Sequence, residues 1–150
     1  WYALLIGIGA LTIISLHLVA GSKENRKDHQ QSKLLADGYT EVCDVSEIEE
    51  SRAKMICAGG ERIAIFKYDV KLSALNNVCR HQNGPLGEGK IVDGCITCPW
   101  HGYQYLPHNG QSPPPFKEKV ETYDVKLIGT TVYVNPKGHP EGTYVEPLVI

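Results

Sequence analysis

The sequence carries no charge surplus of either sign. Its 150 residues include 15 basic and 17 acidic side chains, and no basic stretch is interleaved with aromatics, so the electrostatic footprint of a nucleic-acid binder is missing. There is no P-loop and no Ser-His-Asp pattern, which removes the commonest nucleotide-hydrolysing and acyl-transfer chemistries. There is no internal repeat and no low-complexity tract, which excludes solenoid architectures. Only one long helical pattern occurs, at the very start, so a helix bundle is excluded as well. The length fits one domain with an appendage.

The appendage is "WYALLIGIGALTIISLHLVA", residues 1–20, which contains no charged side chain. At ~1.5 Å rise per residue such a helix spans ~30 Å, the thickness of a bilayer's hydrocarbon core. Trp1 and Tyr2 stand where interfacial anchors belong, and the basic n-region of a signal peptide is absent. The spacing therefore predicts a transmembrane helix over 1–20. A basic, polar linker follows over 21–38, with Lys23, Arg26, Lys27 and Lys33 just behind the helix. By the positive-inside rule, the remainder of the chain is expected to face the cytoplasm. His17 and Ser15 are read as headgroup-level polar residues, and Ala3 and Gly7 as a small-residue face.

Beyond residue 38 the pattern changes to short alternating runs. "YTEVCDV", "KMICAG", "ERIAIFKY", "KLSALNNV", "GKIVDGCIT", "VETYDVKLI" and "TTVYVNP" read as strands, broken at Gly59-Gly60, Asp93-Gly94 and Gly129. Asp93-Gly94 is a type I′ hairpin signal. A short turn is expected near "SEIEESRA". These features predict an all-β domain over 39–135, a small antiparallel barrel or sandwich, followed by a C-terminal tail over 136–150.

Two loops in that domain carry metal-ligating side chains. "CRHQNGPLGEG" supplies Cys79 and His81, and "CPWHGYQY" supplies Cys98 and His101. Each loop pairs one thiolate with one imidazole and is closed by turn formers: Asn83, Gly84 and Pro85 in one, Pro99 and Gly102 in the other. Zinc accepts two sulfurs and two nitrogens, although its usual spacing pairs cysteine with cysteine and histidine with histidine. A [2Fe–2S] cluster also accepts this set, because two thiolates can hold one iron and two imidazoles the other.

In this order and spacing, together with "SPPPF" and the closing "VETYDVKLIGTTVYV", the sequence resembles the Rieske family over roughly residues 39–135. The resemblance implies a small antiparallel β fold whose two cluster loops form a subdomain at its tip. It implies a Rieske-type [2Fe–2S] cluster, with Cys79 and Cys98 on the buried iron and His81 and His101 on the outer one. High-potential members carry a disulfide between the two loops; the matching positions here are Gly84 and Trp100, so that bridge cannot form. This places the chain with the ferredoxin-like branch and agrees with a reducing compartment. Such members also donate hydrogen bonds from a serine and a tyrosine, which match Tyr103 and Tyr105. One donor kept of two predicts a potential in the lower half of the Rieske range of about −150 to +300 mV.

Around the ligands, Gly84 and Gly102 are expected to shape the loops, and Pro113 and Pro114 to cover the cluster. Gln82, Asn83, Leu86 and the three prolines 113–115 are expected to frame a docking surface. Cys43, Cys57 and Cys95 are read as buried free thiols, and His108 as a solvated turn residue. His17, His29, His108 and His139 are scattered and make no two-histidine, one-carboxylate iron site, so no oxygenase chemistry of its own is expected. The expected function is a membrane-anchored one-electron carrier serving a membrane redox partner. A fixed subunit of a respiratory or photosynthetic complex is the alternative, and a zinc-holding structural module a third reading.

Overall fold

The computed structural model describes residues 35–150, together with Trp1 and Ser15. The expected transmembrane helix over 1–20, and the linker as far as residue 34, lie outside the described residues. Among the described residues, no helix is long and apolar enough to cross a membrane.

The domain is all-β, as its alternating runs require. Its strands are β1 (Thr40–Asp44), β2 (Ala53–Ala58), β3 (Glu61–Tyr68), β4 (Lys71–Asn76), β5 (Lys90–Val92), β6 (Cys95–Thr97), β7 (Gln104–Tyr105), β8 (Thr122–Tyr123), β9 (Val125–Ile128), β10 (Thr131–Val134) and β11 (Leu148–Val149). Three antiparallel sheets result, in the orders β1-β10-β9, β11-β4-β3-β2 with β8 also pairing β4, and β5-β6-β7. Two 3-10 turns, Val45–Glu47 and Leu86–Glu88, are the only helical elements among the described residues beyond Ser15.

The continuous apolar run "IAIF" in β3 has a simple cause. Side chains alternate across a strand, and here both faces are covered. Ile63 and Ile65 enter one core with Leu72, Ala74, Val132 and Val134. Ala64 and Phe66 enter a second core with Leu75, Leu86, Ile96, Cys79, Cys98 and Tyr105. The first core joins the two larger sheets; the second joins the central sheet, whose β4 leads into the Cys79–His81 loop, to the small sheet, whose β6 and β7 flank the Cys98–His101 loop. The small sheet is therefore seated by the same strand that organises the base.

Four two-residue hairpins set the registers. Ala58 pairs Glu61 around Gly59-Gly60, Val92 pairs Cys95 around Asp93-Gly94, and Ile128 pairs Thr131 around Gly129-Thr130. The fourth, between Tyr68 and Lys71, is built on Asp69 and Val70 at φ 46° and 59°, a conformation that a β-branched residue rarely adopts.

Four expectations need correction. "VETYDVKLI" is not one strand: it switches sheets at Asp124, Thr122–Tyr123 pairing β4 and Val125–Ile128 pairing β10. Cys57 is exposed and Cys95 only half-buried, although both are free thiols like Cys43; β2 is an edge strand, and its alternation turns Met55 and Cys57 outward. Leu86 is fully buried, because its N–H donates to the Asn77 carbonyl at 2.8 Å and draws the 3-10 turn inward. The segment 136–150, read as a tail, packs along the domain. His139 N–H donates to Thr122 O at 2.8 Å, Gly142 N–H to Val120 O at 3.1 Å and Val145 N–H to His108 O at 2.8 Å, before β11 joins β4.

Candidate metal centre

The two ligand-bearing loops share one hydrogen-bond frame. In the first, Asn83 N–H donates to Cys79 O at 2.8 Å and Cys79 N–H to Gly84 O at 2.9 Å; in the second, Gly102 N–H donates to Cys98 O at 3.0 Å and Cys98 N–H to Tyr103 O at 2.8 Å. The residue four places after each cysteine takes a left-handed backbone, Asn83 at φ 61° and Gly102 at φ 71°. Asparagine and glycine are the residues that enter this region at least cost. Each loop thus turns back on its own cysteine and leaves its histidine on the outer bend.

Burial sorts the four side chains by type. Cys79 and Cys98 are 1% and 2% exposed, whereas His81 and His101 are both exposed. The two imidazole rings lie edge to face with centroids 5.0 Å apart. Burial, with Cys79 close by, pushes the Cys98 thiol above its ordinary range. No three His, Cys, Asp or Glu side chains among the described residues gather about one point as a single ion would require. The donors come as an inner sulfur pair and an outer nitrogen pair, which suits a two-iron cluster better than zinc. Metal binding would need both thiols deprotonated, against the effect of burial on Cys98.

Gly84 belongs to this cradle. A Cβ there would lie 2.7 Å from Cys98 Sγ and 3.2 Å from the Trp100 ring. The two positions that would carry a disulfide in high-potential relatives therefore do meet, but as glycine against indole.

The two tyrosines beside the loops do different work. Tyr105 is fully buried; its hydroxyl lies 3.4 Å from Cys79 Sγ and accepts the Arg80 N–H at 2.9 Å. With one lone pair engaged by Arg80, the phenolic proton is free to point at the sulfur. Burial, then the Cys79 contact, pushes this phenol far above its usual range. Tyr103 instead stacks on His81, with centroids 5.1 Å apart and planes 8° from parallel. Its hydroxyl is bonded to Glu118, so it serves no sulfur; desolvation and that carboxylate push it up to about 12.

Pro113 is half-buried and Pro114 exposed, and the peptide between Pro114 and Pro115 is cis. The loop reaches the site through Phe116, whose ring is 4.9 Å from that of Tyr103. Phe116 and Trp100 are 55% and 58% exposed, and both escaped the sequence reading. Their signal was present only as large apolar residues beside Pro99 and Pro115, where a chain held by prolines cannot fold them inward. His108 is half-buried beside Tyr144, with ring centroids 5.6 Å apart, and stands apart from the site.

A family model described as the Rieske [2Fe-2S] domain matches residues 38–138. The chain belongs to the Rieske family. Its cofactor is a Rieske-type [2Fe–2S] cluster and its role is to carry electrons. The anthranilate 1,2-dioxygenase ferredoxin subunit of Burkholderia cepacia is 30% identical over 92 residues, covering 61% of this chain and 85% of that subunit. Cholesterol 7-desaturase nvd 1 of Ciona intestinalis is 32% identical over 89 residues, covering 58% of this chain but 19% of the desaturase. Among solved structures, the ferredoxin of carbazole 1,9a-dioxygenase from Nocardioides aromaticivorans IC177 has a TM-score of 0.61 at 22% identity, over 66% of this chain and 98% of that one. This last likeness shows that the Rieske fold is shared.

Proposed function

We propose that this Rieske protein passes single electrons to or from an oxygenase-type redox partner. In this reading Cys79, His81, Cys98 and His101 hold the cluster, and residues 1–20 tether the chain to a membrane with its Rieske domain facing the cytoplasm. The observation that carries the proposal is the sorting of the four side chains into a buried thiol pair and an exposed imidazole pair on twin loops. The names of the ferredoxin subunits it resembles support the oxygenase side of the proposal; the uncharged run 1–20 with basic residues behind it supports the tether.

When bound, the cluster takes up and returns one electron at a time. The chain's own residues arrange what surrounds that exchange. Cys79 and Cys98 would hold the cluster from within the second core, where they are shielded from water. His81 and His101 stand at the surface, where an imidazole that uses one nitrogen on iron keeps the other for a partner or a proton. Tyr105 donates toward the Cys79 sulfur, favouring the more negative, reduced state, while Tyr103 supports the His81 ring by stacking. With one hydroxyl donor in place, the potential is expected in the lower half of the Rieske range. Trp100 beside Gly84 and Phe116 against Tyr103 are exposed apolar side chains that would serve as contacts for the partner. A tether would confine carrier and partner to one surface and raise their effective concentration.

The test is EPR of the dithionite-reduced full-length chain with a redox titration on the same sample, repeated for H101A and C98A. A rhombic signal in the wild type that is lost in both variants supports the assignment; a signal that survives either substitution sinks it. Flotation of the full chain with vesicles, resistant to carbonate, supports the tether, and recovery in the supernatant sinks that part alone. A second reading is favoured by the similarity to the cholesterol 7-desaturase: the same domain would feed electrons to a catalytic domain in one longer chain. Mass determination of the native polypeptide separates the two.

A further inference from the structure

Arg80 stands between two expected ligands, Cys79 and His81, and does not point into solvent alone. Its Nη2 lies 2.8 and 3.0 Å from the two carboxylate oxygens of Glu121 and 2.5 Å from Oε1 of Glu141. Its backbone N–H is separately held by the Tyr105 hydroxyl. The first ligand loop is thus gripped at one residue by three other parts of the chain: β7, the approach to β8 and the C-terminal segment.

Glu141 is the unexpected member, since it lies three residues beyond the stretch matched by the Rieske family model, which ends at 138. It is nevertheless firmly placed. Gly142, beside it, donates to Val120 O at 3.1 Å and accepts from Gln111 Nε2 at 2.9 Å, and Thr143 O accepts from Thr122 Oγ1 at 2.9 Å. A Cβ on Gly142 would come within 2.6 Å of the Lys119 side chain, so the strap lies flat there. Val120 itself is fully buried in the core that holds Cys79 and Cys98.

We propose that the C-terminal strap, acting through Glu141 together with Glu121, is a clamp on the cluster loop, and that Arg80 is a positioning residue for Cys79 and His81. This rests on the ligand assignment above. The pairs are partly exposed, and ion pairs of that kind add little to global stability; two carboxylates converging on one guanidinium restrict geometry more than they stabilise the fold. The consequence belongs to the loop. Without the clamp, residues 79–84 keep their internal hydrogen bonds but lose the outer restraint on the loop that presents one of the two histidines.

The clamp also places charge. Arg80 contributes one positive charge beside Cys79, and Glu121 and Glu141 two negative ones. Removing the guanidinium is expected to lower the reduction potential and removing a carboxylate to raise it, since the reduced cluster is the more negative state.

The experiment uses the full chain as wild type, R80Q, R80K and E141Q, with the potential from a redox titration and amide exchange over residues 79–84. The clamp predicts faster exchange of that loop, several-fold, in both R80Q and E141Q, with potentials shifted in opposite directions. R80K should restore most of the potential, because it keeps the charge, but not the slow exchange, because its ammonium sits on a shorter, more flexible stem and does not hold the fixed position that Nη2 takes between the two carboxylates. Unchanged exchange in E141Q overturns the proposal, whatever its potential does, and E141Q decides the matter alone if R80Q does not fold. A wild type that shows no cluster signal would instead sink the ligand assignment, a separate outcome, since exchange is read in either case.

Discussion

Gly84 is the position at which one added methyl group does the most. Its missing side chain is the space in which Cys98 Sγ sits, and the crowding would come from the sulfur at 2.7 Å and the indole at 3.2 Å; the exposed indole can give way, but the buried sulfur cannot retreat from its core. G84A is therefore expected to fold with its base intact but to hold much less cluster, read as iron and sulfide per chain alongside an unchanged far-ultraviolet CD spectrum. Full iron content in G84A would show that the Cys98 loop can shift outward. Tyr105 gives a finer test. Removing its hydroxyl in Y105F deletes one hydrogen bond to a sulfur, worth about 1 kcal/mol, which for a one-electron couple is a fall of about 40 mV. An unchanged midpoint would mean that the phenol serves the Arg80 N–H alone. These residues show what could be read in advance. The four Cys and His residues and their spacing are written directly in the chain, as is the match of Tyr105. The stacking of Tyr103 on His81 was not, because it goes with the hold of Glu118 on the Tyr103 hydroxyl, a contact between residues 15 apart in the chain.

At the scale of elements, turn chemistry decided what was legible. Gly59-Gly60, Asp93-Gly94 and Gly129 announce their hairpins because glycine enters the left-handed region freely. Asp69-Val70 makes an equally tight hairpin with a residue that resists it, so no local signal marks it. The turn is held from outside: Asp69 N–H donates to Glu50 at 2.8 Å, and Ile150 N–H donates to Val70 O at 3.0 Å. Tertiary contacts thus impose a backbone that the local sequence disfavours. V70G should relieve that strain, and despite the extra entropy of an unfolded glycine it should stabilise the domain by about 1 kcal/mol. The check is a higher urea midpoint at unchanged m-value; a lower midpoint would mean that the exposed Val70 side chain makes contacts outweighing the strain. The break at Asp124 was hidden for a related reason. Both halves of "VETYDVKLI" alternate correctly, and nothing in a single strand's pattern says that its two ends belong to different sheets.

For the whole molecule, the acid limb of stability follows from how the first strand is tied in. Asp44 caps the Val45–Glu47 turn: its carboxylate accepts from Ser46 N–H at 2.9 Å and Ser46 Oγ at 2.6 Å, and from Thr130 Oγ1 at 2.5 Å across the β9–β10 hairpin. Glu47 closes the box by accepting the Asp44 N–H at 3.2 Å and the Lys54 ammonium at 3.1 Å. Hydrogen bonds from Ser46 and Thr130 hold the Asp44 carboxyl down at about 2, and Lys54 holds Glu47 below its usual range. A group whose folded pKa is depressed gives its stabilisation above its unfolded value and loses it as pH falls toward the folded one. The contribution is therefore complete above about pH 5, since unfolded carboxyls titrate near about 4, and should drain away between there and about 2. Asp44 is half-buried and Glu47 exposed, and both carboxylates are reached by solvent, so the loss is gradual and small for each. The difference between wild type and D44N isolates the cap: their urea midpoints should be separated by a constant gap from pH 6 to 8 and converge as pH approaches 2. A gap that persists unchanged to the acid end would mean that the asparagine fails for reasons of shape, and that the charge on Asp44 does nothing for the hairpin it joins to β1.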